Sequence, residues 1–216
     1  MAKRFSSLAR LPWKLSLLLC LGGCGFAQAP PGSFQVGYED GRLYGGSLAK
    51  GTTALYHGRV QLDDNLEKGF WFATRLKDDW SVEGSVRRCS TDLVQPGPGV
   101  WASQPKVAGL DYAILEGALR RSVRFGQCHP YWRAGTGLAT LDLEPPQGLD
   151  QHRHRASFSA GGGAEFWMAP GFAFRFDLRA HAIYLGARGQ GQDQGLLDGG
   201  RWLRTQEILA GMQASF

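Results

Sequence analysis

The sequence predicts an all-β fold: a closed, eight-stranded, antiparallel up-and-down transmembrane β-barrel preceded by a signal peptide. Three observations lead there. The first is Phe172 to Tyr184. Its even positions are Phe172, Phe174, Phe176, Leu178, Ala180, Ala182 and Tyr184, and its odd positions include Arg175, Asp177, Arg179 and His181. Period-two alternation of this kind makes a strand with one apolar and one charged face. Four ionisable groups cannot enter an ordinary core unpaired, but they fit a barrel lumen whose other face meets lipid. The second is composition. Hydrophobic residues make up 43% of the 216-residue chain, and mean hydropathy is −0.25. These values exclude a helical membrane bundle yet suit a barrel in which only alternate residues meet lipid. Thirty-one glycines favour turns and close strand contacts over helices. The third is a rhythm of strand, short turn, strand, long loop along the chain.

The N-terminus reads as a targeting segment. Lys3, Arg4, Arg10 and Lys14 precede the apolar run Leu15–Leu21, which is too short to span a bilayer as a helix. Small residues at Gly25 and Ala27 place the expected cleavage after Ala27, giving a signal peptide at 1–27, a short linker at 28–33 and the barrel domain at 34–216. A second reading makes Leu21-Gly22-Gly23-Cys24 a lipoprotein processing site with Cys24 lipidated. Without the leader the chain has 20 basic and 19 acidic residues, a net charge of +1. The basic balance of the whole chain is thus a property of the leader and gives no reason to expect nucleic-acid binding.

Eight strands follow in order. Phe34, Val36 and Tyr38 alternate with Gln35, Gly37 and Glu39 before the pattern fades. Phe70, Phe72 and Leu76 oppose Arg75 in the second strand. Trp80, Val82, Gly84 and Val86 oppose Ser81, Glu83, Ser85 and Arg87 in the third. The fourth, Val107–Leu119, starts with Leu110, Tyr112 and Ile114 on one side and slips near Glu116, where a bulge is expected. The fifth, Tyr131–Leu143, is read with Trp132, Ala134, Thr136 and Leu138 outward and Arg133, Gly135 and Gly137 inward. The sixth has Phe158, Ala160, Gly162, Ala164, Phe166 and Met168 outward, with Ser157, Ser159, Glu165 and the off-pattern Trp167 inward. Phe172–Tyr184 is the seventh. The eighth, Leu203–Phe216, puts Ile208, Ala210, Met212, Ala214 and Phe216 on one face, and Thr205, Glu207 and, against pattern, Leu209 on the other.

The connections alternate. Lys77–Asp79 and Ala169–Gly171 are tight, and Arg120–Gln127 is of medium length. Long loops are expected over 45–68, 90–106, 144–155 and 186–202. Short turns on one side and long loops on the other describe an outer-membrane barrel with periplasmic termini. Trp80, Trp132, Phe166, Phe172 and Phe216 then fall near one membrane level, where aromatic rings concentrate.

The chain resembles the small eight-stranded outer-membrane β-barrel family, the OmpA/OmpX-like and opacity-protein-like barrels, over about Phe34 to Phe216. The residues carrying the resemblance are Asp78-Asp79-Trp80-Ser81-Val82-Glu83, Pro130-Tyr131-Trp132-Arg133-Ala134-Gly135-Thr136-Gly137, Ala169-Pro170-Gly171-Phe172-Ala173-Phe174-Arg175 and the terminal Met212-Gln213-Ala214-Ser215-Phe216. The last resembles the signal read by the barrel-assembly machinery. The resemblance implies an outer-membrane fold in contact with lipid and lipopolysaccharide, a monomer, and no particular activity, since the family includes adhesins, enzymes and structural anchors. No appended peptidoglycan-binding domain is expected.

The inward ionisable residues are expected to be Arg75, Glu83, Arg87, Arg133, Glu165, Arg175, Asp177, Arg179, His181 and Glu207. An eight-stranded lumen has room only for side chains, so these are read as a paired polar plug. The competing reading is a narrow ion path. No catalytic, cofactor or metal residues are assigned. A serine, histidine and acid set could be assembled from Ser157 or Ser159, His181 and Glu165 on neighbouring strands, but these point into the lumen, whereas a lipid substrate would approach from outside. His152-Arg153-His154 has a spacing that could share a metal within a strand, but with no third ligand evident it is read as a solvated loop. Gly161-Gly162-Gly163 precedes no helix and so is no phosphate loop; the glycines are read as making room for Trp167 and lumen arginines. Cys89 and Cys128 fall at opposite membrane levels, too far apart for a disulfide.

The functional expectation is a non-enzymatic envelope or surface-interaction protein, with specificity in the loops near Trp101, Leu196, Leu197 and Trp202. The first alternative is a periplasmic or lipid-tethered barrel of lipocalin type, with apolar side chains inside and charges outside. The second is a lipid A-modifying enzyme.

Overall fold

A computed structural model describes residues 34–52, 57–77, 79–95, 104–144, 151–186 and 201–216. The expected signal peptide, the linker and the lipoprotein site at Cys24 lie outside the described residues, as do Trp101, Leu196 and Leu197. In chain order the strands are β1 (Phe34–Tyr44), β2 (Ser47–Thr52), β3 (His57–Leu62), β4 (Asn65–Arg75), β5 (Trp80–Val94), β6 (Lys106–Ser122), β7 (Cys128–Glu144), β8 (Gln151–Ala169), β9 (Phe172–Gly186) and β10 (Arg201–Ser215). Eight of them close a barrel in the order β1-β4-β5-β6-β7-β8-β9-β10, each pair antiparallel, with β10 returning to β1. The first long connection is a hairpin of β2 and β3, joined to the wall where Gln61 and Leu62 pair with Val94 and Leu93.

The register fixes the shape of the cylinder. From Ile183, direct partners run through Ser157, Gly137, Glu116, Ser85, Trp71, Gly37 and Gln213 to Ala173, ten residues from the start on the same strand. A shear of ten over eight strands tilts them by about 40° and leaves an interior that side chains can fill. The turns at the short end suit their residues. Pro170-Gly171 joins β8 to β9 with Gly171 at φ 80°, the order and angle of a type II turn. Phe125 and Cys128 exchange both backbone hydrogen bonds around Gly126 and Gln127.

The faces follow the expected parity. Phe174, Phe176 and Leu178 are exposed on the outer wall, whereas Arg175, Asp177, Arg179 and His181 are buried within. The favoured orientation of β7 is also seen, with Trp132 and Leu138 outside and Arg133 inside. The lipocalin alternative required the reverse arrangement and is not what the chain adopts.

Two expectations need correction. No bulge occurs at Glu116: β6 pairs without a break across it with both β5 and β7. Leu110, Tyr112, Ile114, Glu116, Ala118 and Arg120 all face inward. What changes along β6 is the composition of the lumen, not the register. The strands also run further than the apolar pattern. The stretch 90–94, read as loop, completes β5, and His152-Arg153-His154 lies in β8 rather than in a loop.

Both corrections have one cause. The 17 residues of β6 span about 58 Å along the strand, or about 44 Å of height at this tilt. The lipid-facing band of such a barrel is about 25 Å tall. The long-loop end therefore rises well above the bilayer, and there the faces exchange character. Leu43, Leu93, Leu110, Ile114, Leu141, Leu143, Ile183 and Leu203 pack inside with Val60 and Leu62 of the hairpin. Arg42, Arg88, Asp111 and Asp142 stand outside on the same strands. The protruding part is built like a water-soluble barrel, apolar within and polar without.

Aromatic rings mark the two boundaries. Trp80 and Trp132 both pair with Arg121, meet edge to face at 5.2 Å, and Arg121 lies 5.6 Å over Trp80. At the upper boundary Trp202 packs against Tyr184 at 5.1 Å and Phe158 at 5.9 Å.

Candidate functional site

The lumen at membrane height holds the chain's densest chemistry. Its lowest layer rests on two rings. Trp71 lies against Gly37 so closely that a Cβ there would sit 2.5 Å from the indole. Gly163 likewise leaves space for Tyr131. The guanidinium of Arg175 stacks between them, 4.3 Å from Trp71 and 4.9 Å from Tyr131. The triple glycine thus makes room for Tyr131 and Arg179, not for Trp167.

Glu83 is the hub of this layer. It accepts two hydrogen bonds from Arg175, at 2.7 and 3.2 Å, and pairs with Arg133 at 2.8 Å and Arg120 at 3.8 Å. Arg120 also binds Glu165 and donates to Ser81 and Gln35. Asp177 bridges Arg175 and Arg179, and Arg179 donates to both oxygens of Glu39 at 2.7 and 2.6 Å. Above it, Arg87 reaches Glu207 and Glu116, with Glu67 at 3.7 Å and Glu39 at 4.0 Å. His181 sits 3.0 Å from Glu207. Among the described residues, five arginines and seven carboxylates are buried here, so nearly every acid can share a guanidinium. Shared bidentate pairing is what allows charges to remain out of water.

Of the ten ionisable residues expected inside, nine belong to this network; Arg75 lies half-buried at the lower mouth. Beside it a cavity of about 40 Å³, bordered by Gln35, Arg120 and Glu165, has room for little more than a water. Glu39, Glu67, Glu116 and Arg120 also belong and were not assigned from the pattern. Glu39 carried the right parity. The other three fell in segments read as a loop, a bulge and a turn.

The serine, histidine and acid set does not assemble. Ser159 is the direct partner of His181, but its hydroxyl has no hydrogen-bond partner among the described residues. Glu165 is engaged by Arg120 and lies six residues along the strand, about 20 Å away. Neither Cys89 nor Cys128 is in a disulfide: Cys89 sits in the upper half of β5 opposite Glu67, and Cys128 opens β7 at the short-turn end opposite Phe166.

The outer wall carries a second feature. An open groove of about 600 Å³ is lined by Tyr44, Phe158, Ala160, Ala180, Ala182 and Arg204. Arg42 and Lys68 are outward cations on the adjoining strands.

No curated protein matches the chain. Among solved structures it is similar to Neisserial surface protein A (13% identity, TM-score 0.58, covering 86% of this chain and 99% of that one). It is also similar to the outer membrane protein OprG from Pseudomonas aeruginosa (13% identity, TM-score 0.61, 87% and 97%). A third is outer membrane protein AlkL, solved in lipid bilayers (14% identity, TM-score 0.52, 90% and 94%). At these identities the likeness is one of fold. A family model, outer membrane protein beta-barrel domain, matches residues 16–216. With the closed eight-stranded cylinder, its lipid-compatible exterior and its enclosed charges already described, the chain belongs to the outer membrane protein beta-barrel domain family and resides in the outer membrane.

Proposed function

We propose that this chain is a non-enzymatic envelope protein: a sealed barrel, not a pore, that anchors a protruding, ligand-presenting end in the outer leaflet. The observation that carries the reading is the stacking of two filled layers. The Arg–carboxylate network fills the membrane-height lumen, and the leucine-rich layer with Val60 and Leu62 fills the part above it. An ion crossing would have to displace paired guanidinium groups and then enter an apolar core, both unfavourable. In planar bilayers the purified barrel is expected to give no stable conductance; channels of porin size would refute the reading.

The domain division adopted is a signal peptide at 1–27 followed by the barrel. The chain acts as a monomer, delivered through recognition of β10 and the adjoining Phe216. Its partner in the membrane is lipopolysaccharide. The groove, with Arg204 in its lining and Arg42 and Lys68 alongside, offers acyl-chain contact beside phosphate-binding cations.

A further inference from the structure

We propose that His152 and His154 form a two-nitrogen binding site for a divalent transition-metal ion, Cu²⁺ foremost, on the outer surface of the protruding barrel end. The register builds the site. His152 and His154 are successive residues on one face of β8, directly opposite Asp142 and Thr140 of β7. Each imidazole is held through its Nδ1: His152 by the Asp142 carboxylate, His154 by the Thr140 hydroxyl at 3.1 Å. The two Nε2 atoms face each other at 3.1 Å, with no other partner among the described residues.

That arrangement is what a metal chelate needs. Asp142 can only accept, so the Nδ1 of His152 carries the proton and its Nε2 presents a lone pair. A carboxylate behind a ligating histidine fixes the tautomer and raises the basicity of the ring. Thr140 is different, because a hydroxyl donates or accepts. Without metal, Thr140 donates to Nδ1 of His154, and the Nε2–H of His154 donates to Nε2 of His152. With metal, the proton of His154 moves through solvent from Nε2 to Nδ1, Thr140 accepts it, and both Nε2 lone pairs point at the ion.

The distance fits. Two nitrogens about 2.0–2.1 Å from a common ion and 3.1 Å apart subtend roughly 95–100°, near the right angle of tetragonal Cu²⁺. Among the described residues no third His, Cys, Asp or Glu side chain completes the site. The remaining positions stay open to water or to an oxygen ligand from another molecule. Asp111, the direct partner of Asp142 on β6, adds negative charge to the same row. Imidazole pairs bind Cu²⁺ ahead of Ni²⁺ and Zn²⁺ by the usual affinity order.

The test is calorimetric titration of the purified, folded barrel with Cu²⁺, with electron paramagnetic resonance of the loaded protein. Wild type is expected to bind one ion that the H152A/H154A variant does not, with a spectrum reporting two nitrogen ligands. Each single variant should weaken that site at least about tenfold, and Asp142→Asn about 10–100-fold while keeping both nitrogens. Heat-modifiable gel migration verifies that every variant is folded; all three side chains are exposed, so folding should be retained. Equal binding by wild type and H152A/H154A, or a single-nitrogen spectrum, would overturn the proposal.

Discussion

Replacing Glu83 by Gln removes the charge that three guanidinium groups share while keeping the shape of the side chain. Arg175, Arg133 and Arg120 each lose a partner at 2.7, 2.8 and 3.8 Å. Breaking a fully buried pair from one side costs about 3–5 kcal/mol, because a charge is left uncompensated. Each arginine here retains another acid: Asp177 for Arg175, Glu116 for Arg133 and Glu165 for Arg120. The cost should therefore fall at the lower end, about 3 kcal/mol, which in a domain of this size lowers Tm by about 6–12 °C. Equilibrium unfolding in urea, with the barrel folded into lipid vesicles, measures it directly. Adding Arg175→Met to the Gln variant takes away one of the three cations that lost the Glu83 charge and should recover about 1–3 kcal/mol, a coupling typical of side chains in one network. If Glu83→Gln is within about 0.5 kcal/mol of wild type, or if the two substitutions simply add, the lumen is not held together by shared pairing.

Three further outcomes follow from the geometry. Leu178→Arg puts a cation on the lipid face midway along β9 and should destabilise by about 2–4 kcal/mol, whereas Arg88→Leu, in the protruding zone, should stay near neutral; vesicle-based unfolding of both variants checks this. Gly37→Val pushes a Cβ into the Trp71 indole, which cannot retreat from beneath Arg175, and should cost about 1–3 kcal/mol in the same assay. Oxidation of the folded barrel should give no intramolecular Cys89–Cys128 crosslink by mass spectrometry, since Cys89 lies in the upper half of β5 and Cys128 at the short-turn end of β7.

How much of this was legible in the sequence depends on height. All of β9 from Phe172 to Tyr184 sits where outside means lipid, so one rule reads every residue. β6 crosses the level where that rule inverts: Ile114 and Glu116 share the inner wall, yet one belongs to an apolar layer and the other to the ionic one. Read as a single alternating pattern, this looks like a slip. The same inversion hid the upper ends of β1, β5 and β8, where Arg42, Arg88 and His154 face out. Their polarity marks departure from the bilayer, not the end of the strand. Partner choice was not legible at all. Arg179 and Glu39 meet across the lumen although 140 residues separate them, and only the register brings them together. The His152–Asp142 and His154–Thr140 pairs likewise depend on β7 and β8 continuing above the membrane.

Spin labels placed singly at Phe174, Phe176, Leu178 and Ala180, with Cys89 and Cys128 replaced, measure most directly whether this wall faces hydrocarbon. Each labelled barrel, folded in a bilayer, is exposed to oxygen, which partitions into lipid, and to a nickel chelate, which stays in water. Collisions with oxygen should dominate at all four positions. The contrast should peak near Phe176 and Leu178. Access dominated by the nickel chelate at these positions, or protection from both reagents, would contradict an apolar exterior around an enclosed charge network.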